Sequence, residues 1–70
     1  MSDVRFKSAG EGSGIYRILL DGNEVGVVAN LGNEWCARWS RGGQWMHWAW
    51  IAPSRAGAAR GVLEIYGVTL

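Results

Sequence analysis

The chain has few of the residues that would narrow its chemistry at once. Its 70 residues include one cysteine, one proline and one histidine, and its net charge is +1. Cys36 is therefore unable to form a disulfide within the chain. One Cys and one His also fall short of the roughly four ligands of a tetrahedral metal site. We expect no metal and no cofactor, and the balanced charge argues against holding nucleic acid by bulk charge alone.

Long apolar runs are missing as well. No stretch reaches the roughly 20 apolar residues of a transmembrane helix, and the N-terminus lacks the apolar core of a secretory signal. We therefore expect no membrane contact and a cytoplasmic location, in the host cytoplasm if the gene is phage-encoded. The unpaired thiol of Cys36 fits a compartment in which thiols stay reduced.

Tryptophan and glycine are abundant instead. The chain contains five Trp and eleven Gly residues. Each Trp side chain buries on the order of 150–250 Å², which matters because a domain this small buries only about 60% of the surface of its unfolded chain. Glycine marks turns between the patterned runs. The composition predicts one small domain with a dense aromatic core.

Residues 1–14 are predicted to be a flexible segment that precedes a single domain over residues 15–70. The run Ser8-Ala-Gly-Glu-Gly-Ser-Gly14 has the composition of a linker. Val4 and Phe6 alternate with charged residues, so a short edge strand over residues 3–7 is the exception that the pattern allows.

Alternation of period two predicts four antiparallel strands near residues 15–21, 24–30, 34–40 and 45–51. Gly-rich and Asn-rich turns separate them. Pro53 ends the last strand, Ser54 is a suitable N-cap, and Gly67 ends a helix near residues 55–66. The fold class is therefore α+β, a three- to four-stranded antiparallel sheet packed against one C-terminal helix.

The same alternation assigns side chains to faces. The face predicted to meet the helix carries Tyr16, Ile18, Leu20, Val25, Val27, Trp35, Ala37, Trp48 and Trp50, opposite Ala59, Val62, Leu63 and Tyr66. Arg17 and Arg38 fall on the helix-free face. On a helical wheel Gly57 and Gly61 fall with Arg60 on the outer side.

Three stretches carry a resemblance to a known kind of domain. They are Tyr16-Arg-Ile-Leu-Leu-Asp-Gly-Asn-Glu-Val-Gly-Val-Val28, Trp35-Cys-Ala37 and Ala52-Pro-Ser-Arg-Ala-Gly-Ala-Ala-Arg-Gly-Val-Leu63. Over roughly residues 15–66 the chain resembles the small sheet-plus-helix DNA-binding domains of the tyrosine-integrase arm-binding and plant ethylene-response-factor type. The resemblance implies the same fold and DNA binding through the sheet. This chain adds Glu24 and Glu34 to a face that is usually rich in Arg and Lys in those domains.

Catalysis is not expected. Cys36 and His47 lack an orienting third group, so we predict a binding protein that is not an enzyme and has no small-molecule substrate. The candidate binding residues are Arg17, Arg38, Trp45 and His47 on the sheet, together with Arg55. Arg55 opens the helix, where free N–H groups favour an anion.

Three kinds of partner fit these residues. The first hypothesis is a module that docks on nucleic acid or a nucleoprotein complex through the helix-free face. The alternative is a small phage or mobile-element inhibitor that binds and blocks a host defence or nuclease complex with the same face. The third is a homodimer formed through the Trp-rich strand. Exposed Arg and Trp are typical of such surfaces.

Overall fold

A computed structural model describes residues 3–10, 12–41, 44–45 and 50–68. Within these ranges the chain forms six strands and one helix. They are β1 (Val4–Ser8), β2 (Ile15–Leu20), β3 (Asn23–Asn30), β4 (Trp35–Arg41), β5 (Gln44–Trp45), β6 (Trp50–Ala52) and α1 (Arg55–Ile65). The α+β arrangement of an antiparallel sheet with one C-terminal helix is confirmed. In the same ranges no helix has the length and apolar character that crossing a membrane requires.

The sheet is an antiparallel meander. β1 to β4 are neighbours in chain order, and β5 and β6 both pair with the remaining edge of β4. The described sheet is therefore five strands wide, one more than the sequence predicted, and the additional strand is β1. β5 and β6 correspond to the strand predicted over residues 45–51, of which 46–49 lie outside the described residues.

β1 forms within the segment of linker-like composition. Val4 and Phe6 point to the helix side of the sheet and pack against the core. Two hydrogen bonds anchor the start of the strand: the Asp3 N–H donates to Asp21 Oδ1 at 2.7 Å, and the Asp21 N–H donates to the Asp3 carbonyl at 2.8 Å. The edge strand allowed as an exception is thus present, while the flexibility of residues 1–14 stays a prediction.

α1 covers one face of the sheet. The buried residues of this layer are Ile18, Val25, Val28, Ala37, Ala58, Ala59, Val62 and Leu63. Trp35, Trp39 and Trp50 pack around them and are half-buried. Alanines on the helix let it approach a sheet that already carries large rings, so small side chains meet large ones at close packing.

β3 contains an irregularity that shifts its side chains. Ile18 pairs with Gly26, but the next residue, Leu19, pairs with Glu24. Val25 is therefore an extra residue on β3, a β-bulge of the kind that opposes two residues to one.

The bulge reverses the predicted assignment for the second half of β3. Val27, which was predicted to face the helix, pairs with Arg17 and Arg38 on the helix-free face, and Val28 takes its place in the core. The prediction for Val27 was wrong because one inserted residue exchanges the two faces of a strand with period two.

The buried side of the helix differs from the one that the helical wheel indicated, since it includes Gly61 and leaves Tyr66 exposed. Gly61 is buried, and a Cβ atom there would overlap the indole of Trp50. A Cβ atom on Gly57 would lie 3.1 Å from the Ala52 Cβ. Both glycines therefore face β6, and their assignment to the outer side was wrong. The missing side chain at Gly61 makes room for a Trp ring that a two-dimensional wheel does not include.

The helix ends match the predicted signals closely. The Ser54 Oγ accepts a hydrogen bond from the Gly57 N–H at 3.0 Å, which is the expected N-cap. Gly67, with φ +74°, follows the last turn. Tyr66 was predicted to lie in the core, but it is exposed and only its hydroxyl returns to the sheet, donating to the Ser40 carbonyl at 3.1 Å.

Candidate binding surface

The helix-free face of the sheet carries a row of basic side chains across four strands. Strand register places Lys7, Arg17, Val27 and Arg38 side by side on β1, β2, β3 and β4. Since neighbouring strands lie about 4.8 Å apart, the row spans roughly 14 Å. We call Lys7, Arg17 and Arg38 the cation row.

The cation row differs in exposure along its length. Lys7 and Arg17 are exposed, whereas Arg38 is half-buried. The Arg17 Nε lies 3.5 Å from Glu24 Oε1, and both side chains are open to solvent. Such exposed pairs contribute at most about 1 kcal/mol. Lys7 forms no ion pair with any residue that the structure describes. The β1 and β2 end of the row is therefore its most accessible part.

Positive charge is concentrated on this face. Of the seven Lys and Arg residues in the chain, Arg5, Lys7, Arg17 and Arg38 lie here. The carboxylates beside them are Glu24 and Asp3, and Asp3 Oδ2 is 2.9 Å from Arg5 Nε. Each of the two carboxylates forms an ion pair with one of these basic side chains, Asp3 with Arg5 and Glu24 with Arg17.

An apolar row lies beside the cation row, two residues further along each strand. Ile15, Ala29, Cys36 and Ile51 pair in register across β2, β3, β4 and β6. Ile51 is 67% exposed and Ile15 38%, whereas Ala29 and Cys36 are buried between them. Sequence reasoning missed this row. The signal was present, because Ile15 and Ile51 both belong to the strand positions that face away from the helix.

Arg55 lies on the other side of the sheet, next to the start of α1. Its guanidinium carbon is 4.7 Å from the ring centroid of Phe6 and 4.8 Å from that of Tyr16. A cation at a helix N-terminus opposes the macrodipole, and contact with two aromatic faces offsets that cost. The structure thus joins Arg55 to β1 and β2 and does not bring it to the cation row.

The structure describes the two remaining candidate binding residues, Trp45 and His47, only in part. The backbone of Trp45 lies in β5, opposite Ser40, while its side chain and all of His47 lie outside the described residues. Among the five predicted binding residues, the structure brings Arg17 and Arg38 together and separates Arg55 from them. The roles of Trp45 and His47 stay predictions.

Comparison with known proteins identifies no relative of this chain. No family model, no curated protein and no solved structure matches the chain. Across the described ranges, no three His, Cys, Asp or Glu side chains group as a metal site would require. What the surface binds must therefore follow from its charges, its exposure and its strand register.

Proposed function

We propose that this chain is a small non-enzymatic module that docks on nucleic acid, or on a nucleoprotein complex, through the helix-free face of its sheet. The cation row is the observation that carries the proposal. Lys7 and Arg17 stand directly opposite each other on neighbouring strands. Like charges in such positions destabilise a sheet. A polyanion relieves that repulsion when it binds, so the arrangement favours a negatively charged partner.

The length of the cation row suits a nucleic acid backbone. Its span of roughly 14 Å is close to the roughly 12 Å width of the major groove of B-DNA. We expect its basic side chains to contact phosphates along the groove, chiefly through Lys7 and Arg17, which are exposed, whereas Arg38 is half-buried. Such contacts fix position and orientation, and base contacts add sequence preference. The resemblance to arm-binding and ethylene-response-factor domains points to the same face.

Substitution of Arg17 and Arg38 together by Ala tests the proposal. Binding to a labelled random-sequence duplex should weaken, and the slope of log affinity against log salt should fall by about one unit for each phosphate that the variant no longer neutralises. Fluorescence anisotropy at several salt concentrations measures both quantities, and circular dichroism checks the fold. Arg17→Ala alone is compared with Arg60→Ala, which removes the same charge from the exposed side of α1. Equal affinities of parent and double variant would exclude this face as the docking surface.

The apolar row supports a second candidate function, binding to another protein. An apolar centre with a charged rim is common in protein interfaces, and here exposed Ile15 and Ile51 adjoin the cation row. In that case the chain is a small inhibitor, of phage or mobile-element origin, that blocks a host defence or nuclease complex.

A pull-down from a host lysate, with and without nuclease, separates the two candidates. The inhibitor is supported if a host protein is still captured after nuclease treatment and if Ile51→Ser reduces its capture more than the Arg17 and Arg38 double substitution does. Capture that nuclease abolishes and that depends on both Arg residues supports nucleic acid binding. Trp45→Ala adds a third comparison, since a central aromatic anchor dominates many protein interfaces.

A further inference from the structure

The outer edge of β1 offers main-chain groups that the helix-free face does not, although Lys7 of the cation row also belongs to this strand. It pairs with β2 on one side, and no described residue pairs with its other side. The ladder to β2 begins with the Asp21 N–H donating to the Asp3 carbonyl and ends with the Ala9 N–H donating to the Ile15 carbonyl, at 2.8 and 2.9 Å. The register between these ends is regular. Odd-numbered residues of β1 therefore direct their backbone groups towards β2, because an antiparallel ladder alternates.

The even-numbered residues direct theirs outward. Val4, Phe6 and Ser8 thus present their backbone N–H and C=O groups along the outer edge of the sheet. Such an edge can accept an additional strand, in which main-chain hydrogen bonds supply affinity and alternate side chains supply specificity. β1 has no proline or bulge that would block this pairing.

The charges of β1 determine which kind of additional strand can pair with its outer edge. Arg5 and Lys7 both lie on its helix-free side. The Arg5 side chain is 75% exposed and pairs with the exposed Asp3 at 2.9 Å, so a partner carboxylate shares or replaces that contact. A second copy is disfavoured, because antiparallel pairing centred on Phe6 places Arg5 opposite Lys7 of the other chain. Pairing centred on Lys7 places Lys7 opposite its own copy. Pairing centred on Arg5 places Arg5 opposite its own copy, although it also brings Lys7 opposite Asp3. Like charges opposite one another are destabilising, and opposite charges are stabilising.

We propose that β1 pairs with an extended acidic segment of a partner protein, in which two acidic residues flank one apolar residue. The acidic residues face Arg5 and Lys7 in non-hydrogen-bonded pairs, where Cα atoms are about 4.5 Å apart and side chains are closest. The apolar residue faces Phe6, which is half-buried on the helix side. This inference goes beyond the proposed function, since it uses the edge of the sheet and its main-chain groups.

The peptide acetyl-Thr-Thr-Glu-Val-Glu-Thr-Thr-amide is the probe, titrated into the isotope-labelled full chain and followed by NMR. We expect the amide signals of Val4, Phe6 and Ser8 to shift most. Reversal of both charges, Arg5→Glu with Lys7→Glu, should lower the affinity for this peptide at least tenfold. The same variant should bind the matching peptide in which Lys-Val-Lys replaces Glu-Val-Glu. Arg60→Glu on α1 is the matched control, and it should leave the affinity for each peptide unchanged.

Changes confined to the peptide keep the test independent of protein folding. N-methylation of the central valine removes the hydrogen bond to the Phe6 carbonyl and should abolish binding. Equal binding of the methylated peptide would overturn the proposal, because charge alone would then explain the interaction. Shifts of the β1 amides with protein concentration and no peptide would overturn it in favour of self-pairing. The Arg17 and Arg38 double variant should still bind the peptide, so failure of the nucleic acid proposal and failure of this one are distinguishable.

Discussion

Gly61 shows how the absence of one side chain positions a large ring. The Trp50 indole lies where a Cβ atom of residue 61 would be. Trp50 in turn sits opposite Ala37 on the neighbouring strand. The packing of β6 against α1 therefore depends on this one glycine.

Gly61→Ala should destabilise the protein, although alanine favours helix formation. The propensity gain is about 1 kcal/mol, whereas forcing an extra carbon into a packed core costs about 1–3 kcal/mol. The midpoint of urea denaturation measures the balance. Gly57→Ala is the matched control, because its Cβ would meet Ser54 Oγ at 3.0 Å, a much milder contact. A higher midpoint for Gly61→Ala than for the parent would contradict the packing described for Trp50.

For single residues, the sequence predicts the side of the sheet correctly where the alternation within one strand determines it. It fails where contacts with other elements determine the position of the side chain. The alternation of β2 and β4 places Arg17 and Arg38 on the helix-free face, as the structure does. Val27 was misplaced because the bulge at Val25 was not predicted, although Gly26 beside it is the kind of residue that often marks a bulge within a strand. The half-burial of Arg38 depends on neighbours from other strands, which a linear pattern does not contain.

Arg55 links three elements at the scale of helices and strands. It belongs to α1 and stacks on Phe6 of β1 and Tyr16 of β2. Tyr16 also approaches Trp35 of β4, with ring centroids 6.0 Å apart. The edge strand is thus held by its ladder to β2 and by a side chain from the helix.

Removing this link should loosen β1 before the rest of the sheet. A solvent-exposed cation–π contact is worth about 0.5–1 kcal/mol, so Arg55→Ala should speed hydrogen exchange of the Arg5 and Lys7 amides by about twofold to fivefold. Exchange followed by NMR provides the measurement, with Arg60→Ala as a control that contacts neither ring. Equal acceleration of amides throughout the sheet would mean that Arg55 contributes to global stability and not to the docking of β1.

Element boundaries were largely predictable, and two features were not. Turn residues and alternation placed β2, β3, β4 and α1 within about two residues. β1 was expected only as an exception, because linker-like composition dominates its surroundings. The single strand predicted over 45–51 is described as β5 and β6. Ser40 of β4 pairs with Trp45, and Ala37 pairs with Trp50, so the register against β4 shifts by two residues between β5 and β6. A pattern of period two does not reveal such a shift.

The whole molecule depends on one thin core between sheet and helix. Leu63 is fully buried there, whereas Leu31 in the turn after β3 is 63% exposed. Small domains have little stability in reserve, so the loss of one large core side chain should be felt by every element.

Leu63→Ala should therefore cost about 2–5 kcal/mol through the cavity that it leaves. Leu31→Ala makes the same chemical change at the surface and should alter stability by less than about 0.5 kcal/mol. Thermal melting of the two variants beside the parent protein makes the comparison. Coincident melting curves for Leu63→Ala and the parent would show that α1 does not hold the sheet as described.

The order of the meander also governs how the chain folds during synthesis. Each of β2, β3 and β4 pairs with the strand made just before it, across the connections 9–14, 21–22 and 31–34. Short closures cost little entropy, and hairpins form in about 1–10 µs, far faster than translation at about 5–20 residues per second. The sheet can therefore assemble strand by strand as it leaves the ribosome. The helix that covers its aromatic face is made after the sheet, so for a fraction of a second to seconds the nascent sheet exposes tryptophan rings to chaperones and to other nascent chains.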